Sequence, residues 1–105
     1  MATVTYNLRD GGVRQSVVGA FTADGAAQDL KLGFYPASIV VINETDVIIW
    51  TKLANQAAAN CIKQVAAGTT TLDATSAILI AADGTVTLSA ALCANGKAIK
   101  FFAHI

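Results

Sequence analysis

The side chains able to do chemistry are few and scattered. His104 is the single histidine. A nucleophilic triad or a histidine–cysteine pair would have to use it, because an activated nucleophile needs a base beside it and a third group to orient that base. Nothing in the sequence brings Cys61 or Cys93 to His104, and the last turn of a chain is a weak platform for groups that need rigid support. His104 reads as a solvated or interface histidine.

The carboxylates are Asp10, Asp24, Asp29, Glu44, Asp46, Asp73 and Asp83. Most fall among turn-forming residues, where aspartate bonds to nearby backbone amides. Acid–base catalysis needs two of them in one cleft. Glu44 and Asp46 are near neighbours, but in a stretch that reads as an exposed hairpin loop. Such a pair binds a cation weakly and lacks the ligand number that calcium takes. Asp10-Gly11-Gly12 has neither the lysine nor the strand-to-helix setting of a phosphate-binding loop. Cys61 and Cys93 are too few for a disulfide framework and have no metal-like spacing. They read as small buried thiols, with a disulfide within or between chains as the alternative. No catalytic residue, metal or cofactor is expected, and the chain is not expected to be an enzyme.

The aromatic residues point to contact instead. Trp50 closes an apolar run, so it reads as a core or interface anchor before an exposed platform for a sugar. Phe101 and Phe102 are adjacent and must face opposite ways in a strand. One then packs inside and the other meets solvent or a partner. Phe102, with Trp50, Tyr6 and Tyr35, forms the set of candidate interface residues, since aromatics are enriched at interface cores.

These residues must be positioned by strands. Ala2, Val4, Tyr6 and Leu8 alternate with polar neighbours, the period of a strand with one buried face. Asp10-Gly11-Gly12 breaks the chain, and Val13 to Phe21 resumes as a valine-rich strand. Gln28 to Phe34 alternates again before Tyr35-Pro36. Ile39–Ile42 and Val47–Trp50 are continuously apolar around Asn43-Glu44-Thr45-Asp46, which predicts a hairpin buried on both faces. Alanine-rich Leu53–Ala59 lacks β-branched residues and predicts a short helix, with helix or strand open as far as residue 67. Thr69–Leu72 favours strand. Ile78–Ile80 and Thr85–Leu88 flank Asp83-Gly84, a second hairpin with Val86 and Leu88 inward. Asn95-Gly96 turns into a last strand over Lys97 to Ile105, with Ile99, Phe101, Ala103 and Ile105 on one face and Ala98, Lys100, Phe102 and His104 on the other. The pattern predicts one all-β, mainly antiparallel domain over residues 1–105: a compact sandwich or barrel of about eight or nine short strands with one short helical segment.

Composition narrows the setting. The chain has 105 residues, a hydrophobic share of 54% and a charged share of only 13%, about half the usual globular share of roughly 25%. Seven basic and seven acidic groups cancel, and neither sign clusters. That leaves no basic stripe for nucleic acid and no charge for an anionic membrane. No apolar run is long enough to span a bilayer, and the N-terminus lacks the basic-then-apolar pattern of a signal peptide. Few charges over a large apolar share imply surface hidden against other chains.

The segment from Leu32 through Gly33-Phe34-Tyr35-Pro36-Ala37-Ser38-Ile39-Val40-Val41-Ile42-Asn43-Glu44-Thr45-Asp46 to Trp50 resembles small virion proteins of tailed bacteriophages. So do Ile62–Leu72, Asp83–Leu88 and Asn95-Gly96-Lys97. The likeness is to head decoration (cement) proteins. It implies a non-enzymatic, oligomeric protein, trimeric by preference, made in the host cytoplasm. It further implies residence on the capsid surface, bound to the major capsid protein. No functional residue is carried over. Residues 1–25 lie outside the resemblance and are read as a possible arm that adds a strand to a neighbour. The alternative is a receptor- or glycan-binding module of a tail fibre or baseplate, using Trp50, Asn55 and Gln56. Another virion part, a tail tube or head–tail connector protein, comes third.

Overall fold

In the computed structural model, which describes residues 4–8 and 16–105, every regular element is a strand. There are ten: β1 (Thr5–Leu8), β2 (Ser16–Thr22), β3 (Gln28–Lys31), β4 (Ser38–Asn43), β5 (Ile48–Leu53), β6 (Cys61–Gln64), β7 (Thr70–Asp73), β8 (Ile78–Ile80), β9 (Thr85–Leu88) and β10 (Ala98–His104). All pairings are antiparallel. Seven strands form one sheet in the order β1-β2-β10-β4-β5-β6-β7, and three form another in the order β3-β9-β8. Neither sheet closes on itself among the described residues. The turn expected at Asp10-Gly11-Gly12 and the start of the next strand at Val13 lie outside the described residues. The described parts of residues 1–25 include β1 and β2, which pair within this chain's own large sheet.

Both sheets feed one core. Val17, Ile39, Val41, Trp50, Ile99 and Phe101 of the large sheet join Leu30, Ile78, Val86 and Leu88 of the small one in a single buried cluster. Their two-residue spacing along each strand puts them on one face, as the alternation predicts. Gly19 is part of this fit. It stands opposite Phe101 across the β2–β10 pairing, and a Cβ there would come 2.2 Å from the Phe101 ring and 2.5 Å from the Thr5 carbonyl oxygen. The aromatic ring fills the space that a side chain would otherwise occupy.

The β4–β5 hairpin forms one residue later than its composition suggests. Asn43 is still in β4, opposite Ile48, and Glu44-Thr45-Asp46-Val47 is the loop. Asn43 explains the shift. Its buried amide accepts from the Asp46 backbone N–H at 3.0 Å and donates to the Asp46 carboxylate at 3.2 Å. The hairpin is also not buried on both faces. Ile39, Val41 and Asn43 are buried, whereas Val40, Ile42 and Ile49 are only partly covered. The continuous apolar run therefore has two addresses, a core face and a second face.

The short helix expected over Leu53–Ala59 is not formed. Turns take its place, closed by Gln56 N–H to Leu53 O at 3.0 Å and Asn60 N–H to Ala57 O at 2.9 Å. The cause is Lys52, which is only 3% exposed. Its ammonium donates to the carbonyls of Ala57 at 2.7 Å, Ala58 at 3.1 Å and Asn60 at 2.6 Å. A lysine has three donors and needs all of them matched when buried. Turning those carbonyls inward satisfies the charge and removes them from any helical ladder, so tertiary demand overrides alanine's helix propensity.

Candidate interaction surface

The register of the large sheet sorts its side chains into two faces. Gly19, Phe101, Val41, Trp50, Lys63 and Thr71 stand in one row across the core side. Displaced by one residue, a second row crosses the opposite face: Val18, Phe102, Val40, Thr51, Ile62 and Leu72. From β2 to β7 this outer row is apolar apart from Thr51, and on β1 the register position opposite Val18 is Asn7. Next to it runs Ala20, Lys100, Ile42, Ile49, Gln64 and Thr70. Phe102 is 40% exposed, Ile62 38% and Leu72 60%.

An antiparallel sheet with one solvated face normally sets polar residues outward. Here the pattern inverts toward β5 and β6. Lys52 and Lys63 share the core side with Trp50, while Ile49 and Ile62 point away from it. Lys100, in the row beside the central one, is held by Glu44 at 2.8 Å, and His104 stands in the row on the other side, between Ser16 and Ser38.

The two carboxylates of the hairpin loop are thus taken by lysines rather than left for a cation. Glu44 pairs with Lys100, and Asp46 pairs with Lys97 at 3.2 Å. Hydrogen bonds from the Glu44 N–H to the Ala98 carbonyl oxygen at 2.9 Å and from the Ala98 N–H to the Thr45 hydroxyl at 3.0 Å fix the loop to β10. No group of three or more histidine, cysteine or acidic side chains comes together among the described residues.

The interface candidates do not form one patch. Phe102 lies at the centre of the outer face. Trp50 is on the core side and only 4% exposed, so it offers neither a contact surface nor a stacking platform. Tyr35 is 46% exposed but lines a separate cleft of about 180 Å3 with Lys52, Ala54, Gln56, Ala58, Leu79 and Ile80. Tyr6 belongs to β1, and its side chain lies outside the described residues. Asn55 is exposed, while the Gln56 side-chain oxygen is engaged by the Leu53 N–H at 2.9 Å.

A second, smaller cavity of about 80 Å3 is lined by Trp50, Lys63, Asp73, Thr75 and Ser89 among others. The buried Trp50 Nε1 makes no hydrogen bond of ordinary length. Lys63 Nζ stands 5.7 Å from the centre of the indole, a cation–π contact. Burial pushes the Asp73 carboxyl upward. Hydrogen bonds from the Thr75 hydroxyl and amide, helped by the indole dipole and Lys63, outweigh this and hold it below the usual carboxylate range. Both cavities fall short of the roughly 300–1,000 Å3 of small-molecule sites.

One contact escaped sequence reasoning. Ser38 Oγ lies 2.7 Å from His104 Nε2, brought there by the Ser38–His104 pairing of β4 and β10. The two are 66 positions apart, and only the insertion of the C-terminal strand beside β4 joins them. Nδ1 faces the Ile105 carbonyl oxygen at 3.1 Å, and the ring stacks at a tilt on Phe102 at 5.6 Å. A serine–histidine pair is the beginning of a nucleophile, and the group facing its second nitrogen is the main-chain oxygen of Ile105 rather than an aspartate or glutamate side chain.

Cys61 and Cys93 are both free and buried. Burial, with Asp73 nearby, raises the Cys61 thiol, and burial pushes Cys93 up to about 11. For both, the shift favours the protonated thiol over the nucleophilic thiolate. Comparison with family models, with curated proteins and with solved structures returns no match.

Proposed function

We propose that this chain is a non-enzymatic structural subunit of a virion: a head decoration protein that binds the major capsid protein and braces the shell. The observation that carries the assembly part is the outer face of the large sheet, whose central row sets Val18, Phe102, Val40, Ile62 and Leu72 on five strands. A surface of that kind is a place for protein contact. The capsid assignment adds the resemblance of residues 30–105 to decoration proteins of tailed phages. In this reading the two sheets form an unequal sandwich, with the small sheet and the outer face available to different neighbours. The mechanism is mechanical. Each copy buries apolar area against the lattice, at about 25 cal/mol per Å2 before association costs, and many copies act together.

The receptor- or glycan-binding alternative loses its aromatic platform, because Trp50 is part of the core. The experiment is to mix purified protein with expanded, empty heads of the phage that encodes it and sediment the particles. Saturable co-sedimentation is the expected result. Its absence at concentrations that saturate other cement proteins overturns the capsid assignment.

A further inference from the structure

We infer that the outer face of the seven-stranded sheet is a self-association surface, on which a second copy of this chain seats its own outer face. The inference deepens the assembly reading and rests on it only in taking the chain to work among other chains.

Three observations select this occupant. The first is breadth. The row Val18, Phe102, Val40, Thr51, Ile62, Leu72 runs over β2, β10, β4, β5, β6 and β7. At about 4.8 Å between strands, this six-strand row is about 24 Å long. A single docked helix, about 10 Å across, leaves most of that row wet. A second sheet covers it.

The second is charge. Across the face the one lysine, arginine or acidic side chain among the described residues is Lys100, which pairs with Glu44 at 2.8 Å. A partner selected by charge has nothing to read. A face whose central row is apolar on five strands, and whose lysine is paired within the chain, is complementary to itself, which an isologous pair requires.

The third is area. With strands of four to seven residues at about 3.4 Å per residue, the face presents about 600 Å2, or about 1,200 Å2 for a pair. That reaches the lower edge of stable interfaces at about 1,200–2,000 Å2. β4 is the middle strand of the seven, so a two-fold axis lying between the sheets at β4 brings row over row. Phe102 and Ile62, on either side of it, both become buried.

Sedimentation equilibrium of the purified full-length chain tests this, with no capsid present. The wild type is expected to be a dimer at about 100 μM, with a dissociation constant in the micromolar range. Phe102→Glu and Ile62→Lys each place a charge in the apolar contact and are expected to raise that constant at least about 100-fold. Their circular dichroism should stay at the wild-type value, and their thermal midpoint should match that of the wild type diluted below its dissociation constant. Leu79→Glu is the control: Leu79 is 38% exposed, equally with Ile62, but lies on β8 of the small sheet, and its variant should remain dimeric. A monomeric wild type at that concentration overturns the inference. So does a dimer or trimer whose mass is unchanged by folded Phe102→Glu and Ile62→Lys variants. A wild type that is monomeric alone yet sediments with heads overturns the self-association while leaving the proposed function standing.

Discussion

Lys52, Gly84 and Cys93 each show one side chain deciding something its neighbours must follow. Lys52 is a buried ammonium matched by three backbone carbonyls. Lys52→Met keeps the apolar stem and removes the donors, so those carbonyls lose their partner. At about 1–3 kcal/mol for each unsatisfied group, a loss of about 3 kcal/mol is expected in urea unfolding, with earlier proteolysis between Ala54 and Asn60. Gly84 has a φ of 88°, and a Cβ there would lie 2.4 Å from the Phe34 carbonyl oxygen. Gly84→Ala meets both the left-handed penalty and that clash, and is expected to cost at least about 2 kcal/mol by the same measurement. Cys93 gives a pH dependence. Its thiol moves from an ordinary 9.0 to about 11 on burial. The folded chain holds that proton more tightly than the unfolded one, so the contribution is whole below pH 9 and is lost as pH rises toward 11. Thermal midpoints measured across that window should fall, and Cys93→Ala should flatten the decline.

Strands were legible where period and turn chemistry agreed. β8 and β9 flank their Asp83-Gly84 turn, with Val86 and Leu88 fully buried, because alternation and a positive-φ glycine pointed to the same answer. β10 likewise follows its two-residue period, with Ile99, Phe101 and Ala103 buried and Lys100 and Phe102 exposed. The 53–59 stretch was not legible. Its alanines describe a local preference, and the buried lysine that overrules it draws its partners from up to eight residues away. The β4–β5 loop lies between these cases. Its length was readable, but its position was set by the Asn43 side chain. This places Val47 in the loop at a φ of 56°, 58% exposed. A β-branched residue is poorly suited to that conformation. Val47→Asn removes the strain without losing buried area and is expected to stabilise the hairpin by about 0.5–1 kcal/mol, read as a higher urea midpoint at unchanged slope.

For the whole molecule, composition led to an expectation of concealed surface, and topology shows where apolar side chains gather on the outer face. Which residues make the outer face was hidden in the sequence, since β10 enters between β2 and β4 and no local signal specifies that neighbour. Phe102 was legible as one of two adjacent aromatics that had to part ways. Its companions Val18, Val40, Ile62 and Leu72 were not, because they join only through pairings across the sheet. The same insertion produced the Ser38–His104 contact. Trp50 went the other way: its type suggested contact, and its register put it in the core. The central claim is that this chain decorates a capsid. Electron microscopy of the particle, with the chain carrying a gold-labelled C-terminal tag, tests that most directly. Labels distributed over the head surface are the predicted result; labels confined to the tail or baseplate, or absent from the particle, contradict it.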